Sequence, residues 1–169
     1  IIATDGDALA LLQKEFPYIL SVELPSYDIN YATRKAFFKL KLLIDTPKIL
    51  KAIIAEKKEI KNILNTHDII GIISDNRFGV YNKNTPSVII THQLNVLSGK
   101  TTWLSSIINK QFLKHFDVCW IPDFERENNL SGVLSYNHNV NIPFTYIGPL
   151  SRFSHKDTKA TNKILIVLS

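Results

Sequence analysis

Two polar clusters carry most of the chemistry this chain offers, Ser74-Asp75-Asn76-Arg77 and Thr91-His92-Gln93-Leu94-Asn95. In the first, the carboxylate and amide can bind hydroxyls, and the Arg77 guanidinium can hold a charged group in its planar fork. In the second, His92 can serve as a neutral donor or acceptor to a sugar or phosphate, flanked by Thr91, Gln93 and Asn95. Plainer uses compete with these. Asp75 or Asn76 can cap a turn while Arg77 is solvated, and a lone histidine near a strand end is more often a hydrogen-bonded structural group. Asp5, Asp123, Glu125 and Ser151 are further candidates for lining a cleft.

Other chemistries fit the residues poorly. No second histidine or cysteine stands at ligand spacing from His92, so a metal site is not expected. Ser74 and Ser98 lack the glycine-flanked elbow that exposes a nucleophilic serine. No glycine-rich loop is present to cradle a phosphate.

Both clusters follow apolar runs, residues 69–73 and 88–90, that are rich in β-branched side chains. Such runs read as strands buried on both faces of a parallel sheet. Ligands of open α/β sheets bind beyond the carboxyl ends of the strands, so the two clusters are expected to converge on one sheet edge. The rest of the chain supplies the alternation such a sheet needs. A strand end at 1–4 leads to a helix capped by Asp5 or Asp7, with Leu9, Leu11, Leu12 and Phe16 on its apolar face and Pro17 at its end. A strand at 18–24 and a loop at 26–33 follow.

A basic helical stretch then runs from Arg34, with Pro47 expected to interrupt it and to start a second helix capped by Asp45 or Thr46. Ile49, Leu50, Ile53, Ile54, Ile60, Ile63 and Leu64 recur there at helical spacing. After the two opening strands come a helix near 101–115, a strand at 116–121, an acidic and polar cluster at 123–129, and a short strand at 143–147. Strands alternating with helices predict an α/β, Rossmann-like parallel sheet flanked by helices.

The chain has 169 residues, 45% of them hydrophobic and 21% charged, which suits one domain with a sizeable core. No apolar run is long enough to cross a membrane, and the opening residues do not read as a signal peptide. The single cysteine, Cys119, lies in a strand-like run, reads as a small core hydrophobe, and suits a reducing cytoplasm. The net charge of +5 suits an anionic partner, although a lysine-rich solvated face is the simpler source of it. The lysines between Arg34 and Lys61 could rest on an anionic membrane. Aromatic residues are not interleaved with them as a base-stacking platform, so nucleic acid is not expected as a partner. The chain lacks methionine and closes on an apolar run at 163–169, and it is expected to be a piece of a larger protein.

Four segments together carry a family resemblance: residues 73–79 (ISDNRFG), 90–95 (ITHQLN), 119–125 (CWIPDFE) and 146–153 (YIGPLSRF). They resemble a group of bacterial glycosyltransferases of the GT-B superfamily, related to the peptidoglycan N-acetylglucosaminyltransferase family. His92-Gln93 stands where the better-known family has His-Glu.

The resemblance implies the N-terminal, acceptor-side domain of a two-domain enzyme, lacking that domain's first strand. Residues 1–147 would form the domain, 148–162 an interdomain linker, and 163–169 the first strand of a donor domain. It implies transfer from a nucleotide-sugar, UDP-linked and held mainly by the donor domain, to a hydroxyl of a lipid-linked or cell-envelope glycan such as lipopolysaccharide. It implies no metal or resident cofactor, a catalytic base in a glycine-rich loop preceding Ile1, and a cytoplasmic protein at the inner face of the membrane. Asp75, Asn76, Arg77, His92, Gln93 and Asn95 would be substrate-binding. A nucleotide-sugar epimerase of the same fold and a non-catalytic binding domain are the alternatives.

Overall fold

The computed structural model describes residues 1–27, 38–94, 110–125, 129–135 and 142–151. Its strands are β1 (Ile2–Thr4), β2 (Ser21–Glu23), β3 (Ile72–Asp75), β4 (Ser87–Ile90), β5 (Val118–Ile121) and β6 (Phe144–Tyr146). Helix α1 (Gly6–Glu15) lies between β1 and β2, and α2 (Phe38–Thr66) precedes β3. A helical turn at 110–113 leads toward β5, and a 3-10 turn (Gly132–Leu134) precedes β6. Among the described residues all six strands pair in parallel, in one sheet of order β3-β4-β5-β6 and a smaller one of β1-β2. The architecture is α/β and Rossmann-like, parallel strands flanked by helices, as the alternation in the sequence predicts.

Register fixes where the strand ends fall. Asp75 pairs with Ile90, Ile90 with Trp120, and Trp120 with Thr145, so the carboxyl ends of β3 to β6 share one edge. The expectation of strands buried on both faces is corrected at β3. Ile72 and Ser74 are buried while Ile73 and Asp75 are exposed, and Ile70 before the strand is exposed as well. Among the described residues, α2 supplies the face that covers Ile72, and the alternate side chains of β3 project away from it.

Among the described residues two apolar clusters form the core. Leu24, Ile60, Ile63, Ile72 and Val80 join α2 to β3 and to the chain leaving β2, with Ala3 and Val22 packed against them. The two sheets therefore share a core through α2. Tyr81, Ile89, Leu94, Leu113, Phe116, Cys119, Ile121 and Ile142 form the second cluster around β4 and β5. Each buried isoleucine or leucine is worth roughly 1.5–3 kcal/mol over its exposed state. Cys119 is fully buried in this cluster, and burial pushes its thiol up to about 12, as expected of a core hydrophobe.

Three local expectations are revised. Pro47 lies inside one continuous helix of 29 residues instead of starting a second one. Proline removes a single N–H donor, which bends a long helix more readily than it ends one. Strand β2 covers only Ser21–Glu23; the residues before it form a turn closed by the Ile19 N–H on the Phe16 carbonyl, and Tyr18 is exposed. Asp5 occupies the N-cap position of α1 in extended backbone, yet its side chain makes no cap hydrogen bond because it is used by Arg77. The described part of the expected 101–115 helix is confined to its last turn, and residues 152–169, with most of the expected linker and the final strand, lie outside the described residues.

Candidate functional site

At the end of β3 the chain turns sharply. Asn76 adopts φ 54°, a left-handed conformation that asparagine tolerates better than most residues. The Ser74 hydroxyl donates to the Arg77 carbonyl at 2.6 Å and closes the turn. Arg77 is thereby directed inward, where its fork meets three separate elements. Nε donates to Glu56 Oε1 at 2.5 Å, Nη1 pairs with Asp5, and Nη2 donates to the Pro25 carbonyl at 2.7 Å. The Tyr27 ring lies 5.3 Å from the guanidinium carbon. Glu56 is fully buried and also accepts the Tyr27 hydroxyl at 2.5 Å and the Gly79 N–H at 3.1 Å.

The electrostatics follow from those contacts. Burial works against charge on Arg77, but Asp5 and Glu56 outweigh it and raise the guanidinium pKa. Burial would lift Asp5, and the hydrogen bonds from Arg77 and Ser26 hold it below the usual carboxylate range. The Tyr27 hydroxyl is pushed up by burial and then by the Glu56 carboxylate. Arg77 therefore acts as a post that ties the β3 loop to α2, to the end of β1 and to the chain after β2. All three of its nitrogens are engaged within the protein.

The exposed polar groups lie beside this post. Asp75 and Asn76 are exposed at the end of β3, and His92 and Gln93 are exposed just beyond β4. Thr91 locks the two loops together. Its hydroxyl donates to Asn76 Oδ1 at 3.2 Å and accepts the Gln93 N–H at 3.0 Å, while its own N–H reaches the Trp120 carbonyl at 3.1 Å. The Asn76 N–H continues the β3–β4 pairing onto the Ile90 carbonyl at 3.0 Å. Thr91 and Leu94 are buried on either side of His92 and Gln93, so two anchors hold the pair at the surface. The sequence-based expectation places Asp75, Asn76, Arg77, His92 and Gln93 together at one sheet edge; Asp75, Asn76, His92 and Gln93 are exposed there, whereas Arg77 is turned inward onto Glu56, Asp5 and the Pro25 carbonyl. Asn95 lies outside the described residues.

The same edge continues at the end of β5. Asp123 is 1% exposed and organises the loop that follows. It accepts the N–H groups of Phe124 and Leu130 at 2.7 Å each and of Ser131 at 3.0 Å, together with the hydroxyls of Ser131 and Ser135. Burial would raise its pKa, but these donors, led by Ser131, hold it well below the usual carboxylate range. Asp123 thus shapes the wall, and Phe124 and Glu125 are the exposed residues beside it. Ser151 is exposed, beyond the turn in which the Gly148 N–H donates to the Asp123 carbonyl at 3.2 Å. Asp5 stands with Arg77 at the β1 end.

Sequence reasoning passed over Glu56, Tyr27 and Ser135. Glu56 had a legible signal: it lies three residues after Ile53 and four before Ile60, on the helix's apolar stripe. A carboxylate at such a position needs a cationic partner. No comparable pattern marks Tyr27 or Ser135.

Chemically, the exposed set offers one carboxylate, two amides and one imidazole on a rigid edge, an array suited to hydroxyl-rich ligands. Among the described residues no group of histidine, cysteine and carboxylate side chains could hold a metal ion, and no helix is long and apolar enough to cross a membrane. Compared with family models, curated proteins and solved structures, the chain matches none of them.

Proposed function

We propose that this chain is the acceptor-side domain of a GT-B glycosyltransferase, which moves a sugar from a nucleotide-sugar, UDP-linked in this reading, to a hydroxyl of a lipid-linked or cell-envelope glycan. The observation that carries the reading is the paired strand ends: Asp75-Asn76 and His92-Gln93 are exposed side by side and locked by Thr91 at the carboxyl edge of a parallel sheet. That edge is where α/β sheets take their ligands. Asp75 and the two amides orient acceptor hydroxyls, and His92 hydrogen-bonds the hydroxyl nearest the donor. Arg77 keeps this edge in place from below through Asp5 and Glu56.

A companion domain holds the donor and stabilises the leaving diphosphate, and a general base deprotonates the acceptor hydroxyl. The protein works in the cytoplasm at the inner face of the membrane, where the basic stretch that begins at Arg34 favours contact with anionic lipid. Product analysis of the full-length protein tests the reading. Incubation with a nucleotide-sugar and a lipid-linked acceptor yields a glycosylated acceptor, and donor alone yields no isomerised sugar. Isomerisation without acceptor would favour the epimerase alternative, and no turnover would favour a binding domain.

A further inference from the structure

A concave site lies at the other end of the sheet, at the turn that precedes β4. Lys57, Lys61, Tyr81, Asn82, Lys83 and Asn84 line a pocket of about 260 Å3 there. The pocket is built on fixed parts. Tyr81 is buried, stacks on His115 with ring centroids 4.9 Å apart, and packs against Phe116 at 5.5 Å. Lys57 lies over the Tyr81 ring at 4.7 Å, and its ammonium donates to the Tyr81 hydroxyl at 2.9 Å. The turn itself is pinned by the Asn82 N–H on Ser87 Oγ at 3.2 Å and the Asn84 N–H on Asn82 Oδ1 at 2.8 Å.

Among the described residues no carboxylate pairs with the lysines of this pocket, Lys57, Lys61 and Lys83. Nearby carboxylates are turned elsewhere, with Glu56 on Arg77, Asp117 on the Ser87 N–H and Glu59 on the Asn62 amide. Burial, and then the charges of Lys57, Lys114 and Lys83, hold His115 below the usual imidazole pKa, which places several cations around one spot. Two ammonium groups from α2, of Lys57 and Lys61, and one from the turn, of Lys83, with no acid among the lining residues, call for an anion with several acceptor oxygens.

We propose that this pocket binds a phosphate group, held by Lys57, Lys61 and Lys83 against the Tyr81–Asn84 turn. A phosphate accepts charge-assisted hydrogen bonds from several ammonium groups at once. The group could be carried by a soluble phosphate ester or by a lipid headgroup. The site is independent of the carboxyl-edge reading, since it lies before β4 and that edge lies after it.

Titration of the full chain with inorganic phosphate, and in parallel with phosphatidylglycerol vesicles in a phosphatidylcholine background, tests the site. Saturable binding is expected in at least one arm. Binding in the phosphate arm identifies a soluble anion, and binding in the vesicle arm alone identifies a headgroup. The double variant Lys61→Gln/Lys83→Gln alters two surface side chains, and it is expected to weaken that binding by about tenfold. The control Lys14→Gln on α1 is expected to leave it unchanged. The absence of saturable binding in both arms would overturn the site, and so would equal binding by wild type and the double variant.

Discussion

At Arg77 one side chain joins three elements, and its removal is expected to be felt well beyond the loop. The Arg77→Ala variant leaves the fully buried Glu56 carboxylate without its cation. Breaking a buried pair from one side costs about 3–5 kcal/mol, so the urea midpoint should fall accordingly. Asp123 makes a second prediction through pH. Its folded pKa lies below its unfolded one, so the stability it contributes is present above the unfolded value and is lost as pH falls toward the folded value. Asp5 acts in the same direction. The Asp123→Asn variant should be less stable than wild type at neutral pH, and the gap should close as pH falls from about 5 to about 2. Denaturant midpoints measured across that range check it. The polar types at Asp75, Asn76, His92 and Gln93 were legible from sequence because each cluster directly follows an apolar run. The inward direction of Arg77 was not, because its partners Asp5 and Glu56 lie 72 and 21 residues away.

At the scale of elements, the loop after β3 comes very close to α2 at Gly79. A Cβ on Gly79 would stand 2.5 Å from Glu56 Oε2 and 2.6 Å from the Ile53 carbonyl oxygen. The backbone of α2 cannot yield without disturbing Ile53 and Glu56, both buried. Gly79→Ala is therefore expected to cost about 2–3 kcal/mol, read as a lowered midpoint of thermal or urea unfolding. Where a segment has a strong period, its type can be read directly: Ile53, Ile60 and Ile63 of α2 are buried as the helical spacing requires, whereas Leu50 and Ile54, expected on the same face, are exposed. Element limits were less legible. Pro47 and the residues before β2 were misplaced because a single proline or a short apolar run does not say whether packing carries the element past it.

For the molecule as a whole, the parallel order β3-β4-β5-β6 makes the candidate site a property of topology. Each loop after a strand arrives at the same edge. The β3 loop is held by Arg77, the β4 loop by Thr91 and Leu94, and the β5 loop by Asp123. The alternation of strands and helices announces a parallel sheet but not its strand order, and the separate β1-β2 pair has no sequence signal of its own. The transferase reading rests on the exposed residues between these anchors. Acceptor kinetics of the full-length protein test it most directly, with wild type compared against His92→Ala and Asp75→Ala at saturating nucleotide-sugar. Both variants are predicted to lose about tenfold or more in kcat/KM for the acceptor while the donor KM and the near-UV circular dichroism are retained. Acceptor kinetics unchanged in both variants would contradict the assignment of this edge to the acceptor.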